Sequence, residues 1–286
     1  MSDLSVLYIA TRRRYLDEAK VSATSLKAYH DWPVHLITTE ALIDRSTRSF
    51  FDGVELVDEA SRDFADSILT EWDCVADKTL FLDTDTYVAA PLEGIVEHLD
   101  DVDLVGCWDP TRGGTVPHEH DPDIPASHPM LNTGVLAYRD TEAVWELFAD
   151  WRRLYDKLYD DVVGGLNQPA FRQATYEWNG LIHVLPPEYN FRVGNVANSV
   201  NYAAGPVRLI HGRSHLWHPA DLARRINETH DPRVIICNPW PPEVITAEDK
   251  STHQRLLNAA DVHSWQVYKH GPVGCVRSIL QGVRGT

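Results

Sequence analysis

A chain of 286 residues, 43% hydrophobic, is long enough to bury a sizeable core as one large domain or two small ones. A formal charge of −16 argues against a broad basic surface for nucleic acid, and no apolar run approaches the ~20 residues of a membrane span. The four cysteines (Cys74, Cys107, Cys237 and Cys275) form no CxxC pair, which excludes zinc knuckles and thioredoxin-like motifs.

The first residues lack the basic and apolar regions of a signal peptide. A cytoplasmic protein with reduced core thiols is therefore expected, with peripheral membrane contact left open. The acidic balance fits a high-salt cytoplasm and a GC-rich genome equally.

In chain order, "LSVLYIAT" (4–11) is a β-type run, and "YLDEAKVSATSLKAY" (15–29) has helical spacing. "PVHLITT" (33–39) and "GVELVD" (53–58) are strands, "SRDFADSILTEW" (61–72) a helix with Ser61 as N-cap, and "KTLFLDT" (78–84) the next strand. A short helix (92–99) and a strand (102–108) follow, then a loop (109–129) rich in Pro, Gly, His and Asp. "LNTGVLAYR" (131–139) is a strand, and 141–160 a helix with Trp145, Phe148, Trp151, Leu154, Tyr155 and Leu158 on its apolar face. A helix opens near Pro169 (166–177), and 180–192 and 206–217 are strands running into polar loops. The stretch 218–286 has weak periodicity. Alternating strands and helices predict an α/β class with a mostly parallel sheet, whose ligands bind beyond the carboxyl ends of the strands.

Asp83 and Asp85 stand at such an end. Side-chain alternation along an extended backbone aims both the same way, and two carboxylates aimed at one point repel unless a cation lies between them. The bland alternative is an Asx-type turn. An EF-hand loop fails because Tyr87 and Val88 occupy the positions of its third acid and glycine. A haloacid-dehalogenase phosphatase motif fits poorly because its fifth position is Tyr87.

"DKTLFLDTDTYVAAPLEGI" resembles the "DKVLYLDADTLV…PL" segment of GT-A glycosyltransferases, especially family 8 and its relatives. "YIATRRRYLDEAKVSATSLKAY" resembles their first strand and helix, and "LNTGVLAYR" their "LNSGV" strand. "LNQPAF" resembles their "DQDxLN" or "DQPAL" segment, "LPPEYNFR" their "LPxxYN" strand and "LIHGRSHLW" their final "IHFxGxxKPW" block. The matches keep family order over residues 4 to 217, and 218–286 match nothing. The resemblance implies a Rossmann-like GT-A catalytic domain over 1–217 with a C-terminal extension over 218–286.

It further implies transfer of a hexose from a nucleoside-diphosphate sugar (UDP- or GDP-sugar) to a hydroxyl on a glycan, lipid or small molecule. Asp83, Asp85 and His211 would hold Mn²⁺ or Mg²⁺ against the diphosphate. Thr11, Thr84, Asn132, Arg213 and His215 fall at donor-binding positions. The family's block lysine is absent here, as is its basic residue before the Asp-x-Asp strand, where Asp66 and Ser67 stand and Arg62 is the nearest substitute. Asn167 and Gln168 match the acid and amide of the catalytic segment, so retention is expected but not secured. Inversion would need a base, for which Asp109, Glu188, Glu119 and Asp121 are candidates. The loop histidines His118, His120 and His128 lack clean metal-ligand spacing and suit an acceptor lid better. Trp108, Trp217 and Tyr189 are expected at the cleft border or in the core. A catalytically silent scaffold and a metal-dependent phosphohydrolase are the alternative functions.

Overall fold

A computed structural model of the chain describes residues 4–58, 65–70, 76–109, 123–125, 127–158, 166–193, 200–213, 219–236 and 243–246. The elements, in order, are β1 (Leu4–Ala10), α1 (Arg13–Lys27), β2 (Val34–Thr39), α2 (Arg45–Phe50), β3 (Gly53–Val57), β4 (Lys78–Leu82), β5 (Thr86–Val88), α3 (Glu93–Glu97), β6 (Leu104–Trp108) and β7 (Leu131–Arg139). There follow α4 (Glu142–Leu158), α5 (Gln168–Glu177), β8 (Ile182–Leu185), β9 (Phe191–Arg192), β10 (Val200–Ala203), β11 (Leu209–His211), α6 (Pro219–Ile226), β12 (Arg233–Ile236) and β13 (Glu243–Thr246). Among the described residues, no helix is long and apolar enough to cross a membrane.

Seven strands form the main sheet in the order β3-β2-β1-β4-β7-β6-β8. Its pairings are parallel except at β7, which runs antiparallel to both β4 and β6. This is the expected α/β class, a mixed, mostly parallel sheet with helices on both faces. The strand alternation divides the core. On β1, Leu4, Val6, Tyr8 and Ala10 enter the cluster beneath α1, whereas Leu7 enters the one beneath α4 and α5. On β4, Leu80 and Leu82 face α1 and Phe81 faces α4. Trp151 is fully buried on the latter side, at 4.6 Å from the Phe171 ring. The apolar face read from α4 is therefore core, as its spacing predicted.

The chain passes from β1 outward to β2 and β3, then returns to place β4 on the other flank of β1. This reversal opens a crevice at the carboxyl ends of β1 and β4, where ligands bind in sheets of this kind. Two small sheets extend the frame. One has the order β5-β11-β9 and the other β10-β12-β13. A third core cluster beneath them joins Phe191, Val193, Val207 and Ile210 to Leu222, Ile226 and Ile235.

Four expectations are changed or sharpened. The helix predicted over 61–72 is, in its described part, a single 3₁₀ turn at Ala65–Ser67, because Ile68 and Leu69 leave the helical path to enter the core beside α4. The stretch 180–192 opens with β8 and leaves it through a 3₁₀ turn at Pro187–Tyr189, where proline withholds a backbone donor from any ladder. In the described part of 206–217 the strand is Leu209–His211. It ends because Gly212 turns away at φ 130°, a region open to glycine, packed so that a Cβ there would strike the Val193 carbonyl. The weakly periodic tail contains α6, β12 and β13, the two strands being of four residues each, too short to show a period.

Candidate functional site

A cleft of about 320 Å³ lies over the carboxyl ends of β1 and β4. Asp83 leaves β4 with its amide bound to the Gly134 carbonyl at 2.7 Å. Residues 83–86 then form a turn, closed by the Thr86 amide on the Asp83 carbonyl at 3.2 Å and by Thr86 Oγ1 on the same oxygen at 2.8 Å. The two aspartates thus converge through a turn, not through the extended alternation expected from sequence. Beneath the turn, buried hydroxyls link Thr86 to Ser22 at 2.7 Å and Ser22 to Tyr8 at 2.9 Å, tying it to α1 and β1.

The small sheet brings in the third member. β11 pairs with β5, setting His211 opposite Thr86, and with β9, setting His211 beside Arg192. His211 Nε2 lies 3.5 Å from Asp83 Oδ2 and 3.3 Å from Asp85 Oδ1. One ligand atom from each of the three residues falls within 4.8 Å of the others. His211 Nδ1 donates to Asn190 Oδ1 at 2.8 Å, since an amide oxygen only accepts, and Nε2 is left facing the carboxylates. Gly134 makes room for the cluster: a Cβ there would lie 2.5 Å from Asp83 Cγ and 2.6 Å from His211 Cε1. Two carboxylates, an imidazole with its second nitrogen tied back and a cleared centre fit a divalent cation.

The electrostatics agree with that geometry. Burial works to raise the Asp85 carboxyl, but His211, Arg213 and Arg192 outweigh it and hold the group well below the usual carboxylate range. Burial and Arg192 both favour a neutral His211 ring, yet Asp85 and Asp83 prevail and raise its pKa.

No protein-family model matches the chain, and no curated protein is detectably similar to it in sequence. Solved structures are similar in shape. An active-site mutant of LgtC superposes at a TM-score of 0.52 with 17% identity, covering 78% of this chain and 95% of that one. The galactosyltransferase LgtC in complex with donor and acceptor sugar analogs gives 0.53 at 18% identity, over 78% and 94% of the two chains. Mouse xyloside xylosyltransferase 1 in its apo form gives 0.53 at 14%, over 74% and 98%. The chain has the GT-A fold.

The GT-A frame gathers most of the residues singled out in the sequence. Thr11, Asp83, Thr84, Asp85, Asn132, Asn167, Gln168, His211 and Arg213 all line the cleft. Thr11 Oγ1 donates to Asp66, a cleft residue from the 3₁₀ turn. Asn167 accepts from Thr133 Oγ1 at 2.9 Å and donates to Ser67 Oγ at 3.0 Å. A shift in register between Gly106 and Cys107 sets Asn132 opposite Cys107 at the cleft end of β7.

Other expectations fail on geometry. Asp109 is fully buried and does not line the cleft; its Oδ2 accepts from Asn132 Nδ2 and Gln168 Nε2, each at 3.0 Å. It holds two cleft amides from behind. Glu188 is buried away from the cleft and accepts from the Ala204 amide. Tyr189 lies under Arg208 and packs beside Gly94, and Trp108, about half exposed, is not among the residues lining this cleft. His128 is tied to Thr175 at 3.2 Å and packs edge-on to Tyr176. Arg62, Glu119, Asp121, His118, His120, His215 and Trp217 lie outside the described residues.

Sequence reasoning missed four contributors. Glu18 of α1 is buried and accepts from Arg14 at 2.8 Å, Arg213 at 3.2 Å and Thr84 at 3.1 Å, joining the first helix to the segments that carry Asp83–Asp85 and His211. Gly134, Asn190 and Arg192 are the others. In "YNFR", Asn190 and Arg192 flank the buried Phe191, so a period of two would have put them on one side.

Proposed function

We propose that the chain is a metal-dependent glycosyltransferase that moves a hexose from a nucleoside-diphosphate sugar to a hydroxyl on a glycan, lipid or small-molecule acceptor. The observation that carries this reading is the Asp83–Asp85–His211 cluster at the crevice of a GT-A fold. The solved LgtC complex holds donor and acceptor sugar analogs, which supports a sugar donor and a sugar-like acceptor here. Asp83, Asp85 and His211 would hold Mn²⁺ or Mg²⁺, the imidazole favouring Mn²⁺. Bound there, the ion supplies Lewis-acid neutralisation of the diphosphate's charge.

The residues of the chain divide the remaining work. Residues 1–217 form the catalytic unit and 218–286 an extension of it. Thr11, Thr84 and Arg213 bind the nucleotide side of the donor, with Arg62 and His215 as further contacts. Asn132, Asn167 and Gln168 meet the sugar. Gln168 donates from Nε2 to Asp109 and, at 3.4 Å, to the Leu131 carbonyl, which leaves its amide oxygen for the cleft. An oxygen beside the anomeric carbon stabilises the positive charge that develops there. The bond from that carbon to the diphosphate oxygen breaks, and its electron pair leaves with the diphosphate. The acceptor oxygen bonds to the carbon and gives its proton to the departing diphosphate. Such same-face transfer retains configuration and needs no protein carboxylate as base.

Calorimetry of UDP and GDP with Mn²⁺ tests the reading. The wild type binds at least one of them only with metal, and Asp85→Ala loses that binding while its circular dichroism is unchanged. Equal affinity in the variant refutes the assignment. Incubation with donor sugar then separates the chemistry, since a transferase slowly releases nucleoside diphosphate, a phosphohydrolase releases phosphate and a scaffold releases neither.

A further inference from the structure

The acid cluster is surrounded by cations that differ in how well they are matched. Arg213 is paired with Glu18 at 3.2 Å and lies over the Tyr15 ring at 5.1 Å. Arg14 is paired with the same Glu18 at 2.8 Å. Arg12 lines the cleft but is exposed. Arg192 is different. It lies on β9 directly beside His211, lines the cleft with Asp83 and Asp85, and has a buried Nε with no hydrogen-bond partner. Its backbone is held, because the Arg192 carbonyl accepts from Asn201 Nδ2 at 2.9 Å. Among the described residues, no carboxylate stands within ion-pair distance of it.

An orphaned buried donor costs stability unless a ligand satisfies it. Two carboxylates and a divalent ion cancel in charge, so a diphosphate arriving there needs a further cation. Arg213 is already engaged by Glu18, which it shares with Arg14. A guanidinium fork also matches two phosphate oxygens at once. We propose that Arg192 is the cationic ligand of the donor's diphosphate in this protein. The proposal rests on the reading of the cleft as a nucleoside-diphosphate-sugar site.

The charge argument sets opposite signs for two measurements. Arg192 repels a metal ion bound alone and attracts the diphosphate bound with it. Isothermal titrations are run on the wild type, Arg192→Ala, Arg192→Gln and Arg192→Lys, with Mn²⁺ alone and then with saturating Mn²⁺ plus UDP, GDP, UMP or GMP. The Ala and Gln variants are expected to bind Mn²⁺ alone as tightly as the wild type or more tightly. They should lose about ten- to hundredfold in diphosphate affinity and less in monophosphate affinity. Arg192→Lys should fall between, since a point charge replaces a fork. Parallel loss of Mn²⁺ and diphosphate in both neutral variants would mean a structural role and overturn the proposal. Unchanged diphosphate affinity would overturn it while leaving the reading of the cleft intact. A wild type that binds neither diphosphate with Mn²⁺ would overturn both.

Discussion

Gly134→Ala tests whether the cleared space between Asp83 and His211 serves a metal. Gly134 is buried within β7, and its φ is not in the left-handed region, so the backbone accepts alanine. In a strand, that exchange alone stabilises by about 0.4–1 kcal/mol through the unfolded chain. The added Cβ, however, would stand 2.5 Å from Asp83 Cγ and 2.6 Å from His211 Cε1, where ordinary contact begins at 3.4 Å. Both side chains must therefore move, Asp83 by about 0.9 Å or more and His211 by about 0.8 Å, well beyond the ~0.2 Å tolerance of a metal–ligand distance. Displacing even an indirect support of a metal ligand costs about ten- to hundredfold in affinity, so loss of a ligand's own position should cost at least that much. Mn²⁺ titration followed by electron paramagnetic resonance measures the loss, and thermal unfolding in chelator checks the fold. The expected result is a nearly unchanged melting temperature with Mn²⁺ affinity reduced by about a hundredfold. Wild-type Mn²⁺ affinity in a folded variant would refute the argument that this space holds the ion.

Two further outcomes follow from the buried polar groups. Asp109→Ala leaves the Asn132 and Gln168 amides without their shared acceptor and should lower kcat by about a hundredfold through misplacement, with Mn²⁺ affinity unchanged. Asp109→Asn should restore much of that rate, because both amides donate to the one Oδ2 that an asparagine oxygen can replace; a variant as inactive as Ala would instead mark Asp109 as a proton acceptor. Tyr8 is fully buried, and burial pushes its hydroxyl pKa above the ordinary value, against the lowering by Ser22 and Thr86. The folded protein thus keeps a proton that the unfolded chain loses above about pH 10, so the stability present below that pH is lost as pH rises. Tyr8→Phe should flatten the alkaline fall in chemical-denaturation stability; the buried Cys107 thiol, also pushed up by burial, leaves a residual slope. An alkaline limb of unchanged steepness in Tyr8→Phe would contradict the assignment.

The chain by itself determined the layered α/β frame and the position of the acid pair. The near-continuous apolar runs of Leu4–Ala10 and Lys78–Leu82, buried on both faces, are local properties, and two neighbours in a strand need no distant information to choose their faces. Asp83 and Asp85 were legible for the same reason: they follow an apolar run at a strand's carboxyl end. Pairing across the chain decided the rest. Arg192, Asn190 and His211 meet the aspartates only because β11 lies between β5 and β9, elements more than a hundred residues apart in sequence. Asp109 carried the same carboxylate in the sequence whether it faced the cleft or stood behind it, and burial under two amides decided between these. A sequence shows which groups are available; their direction and their partners depend on long-range register, which no local period encodes.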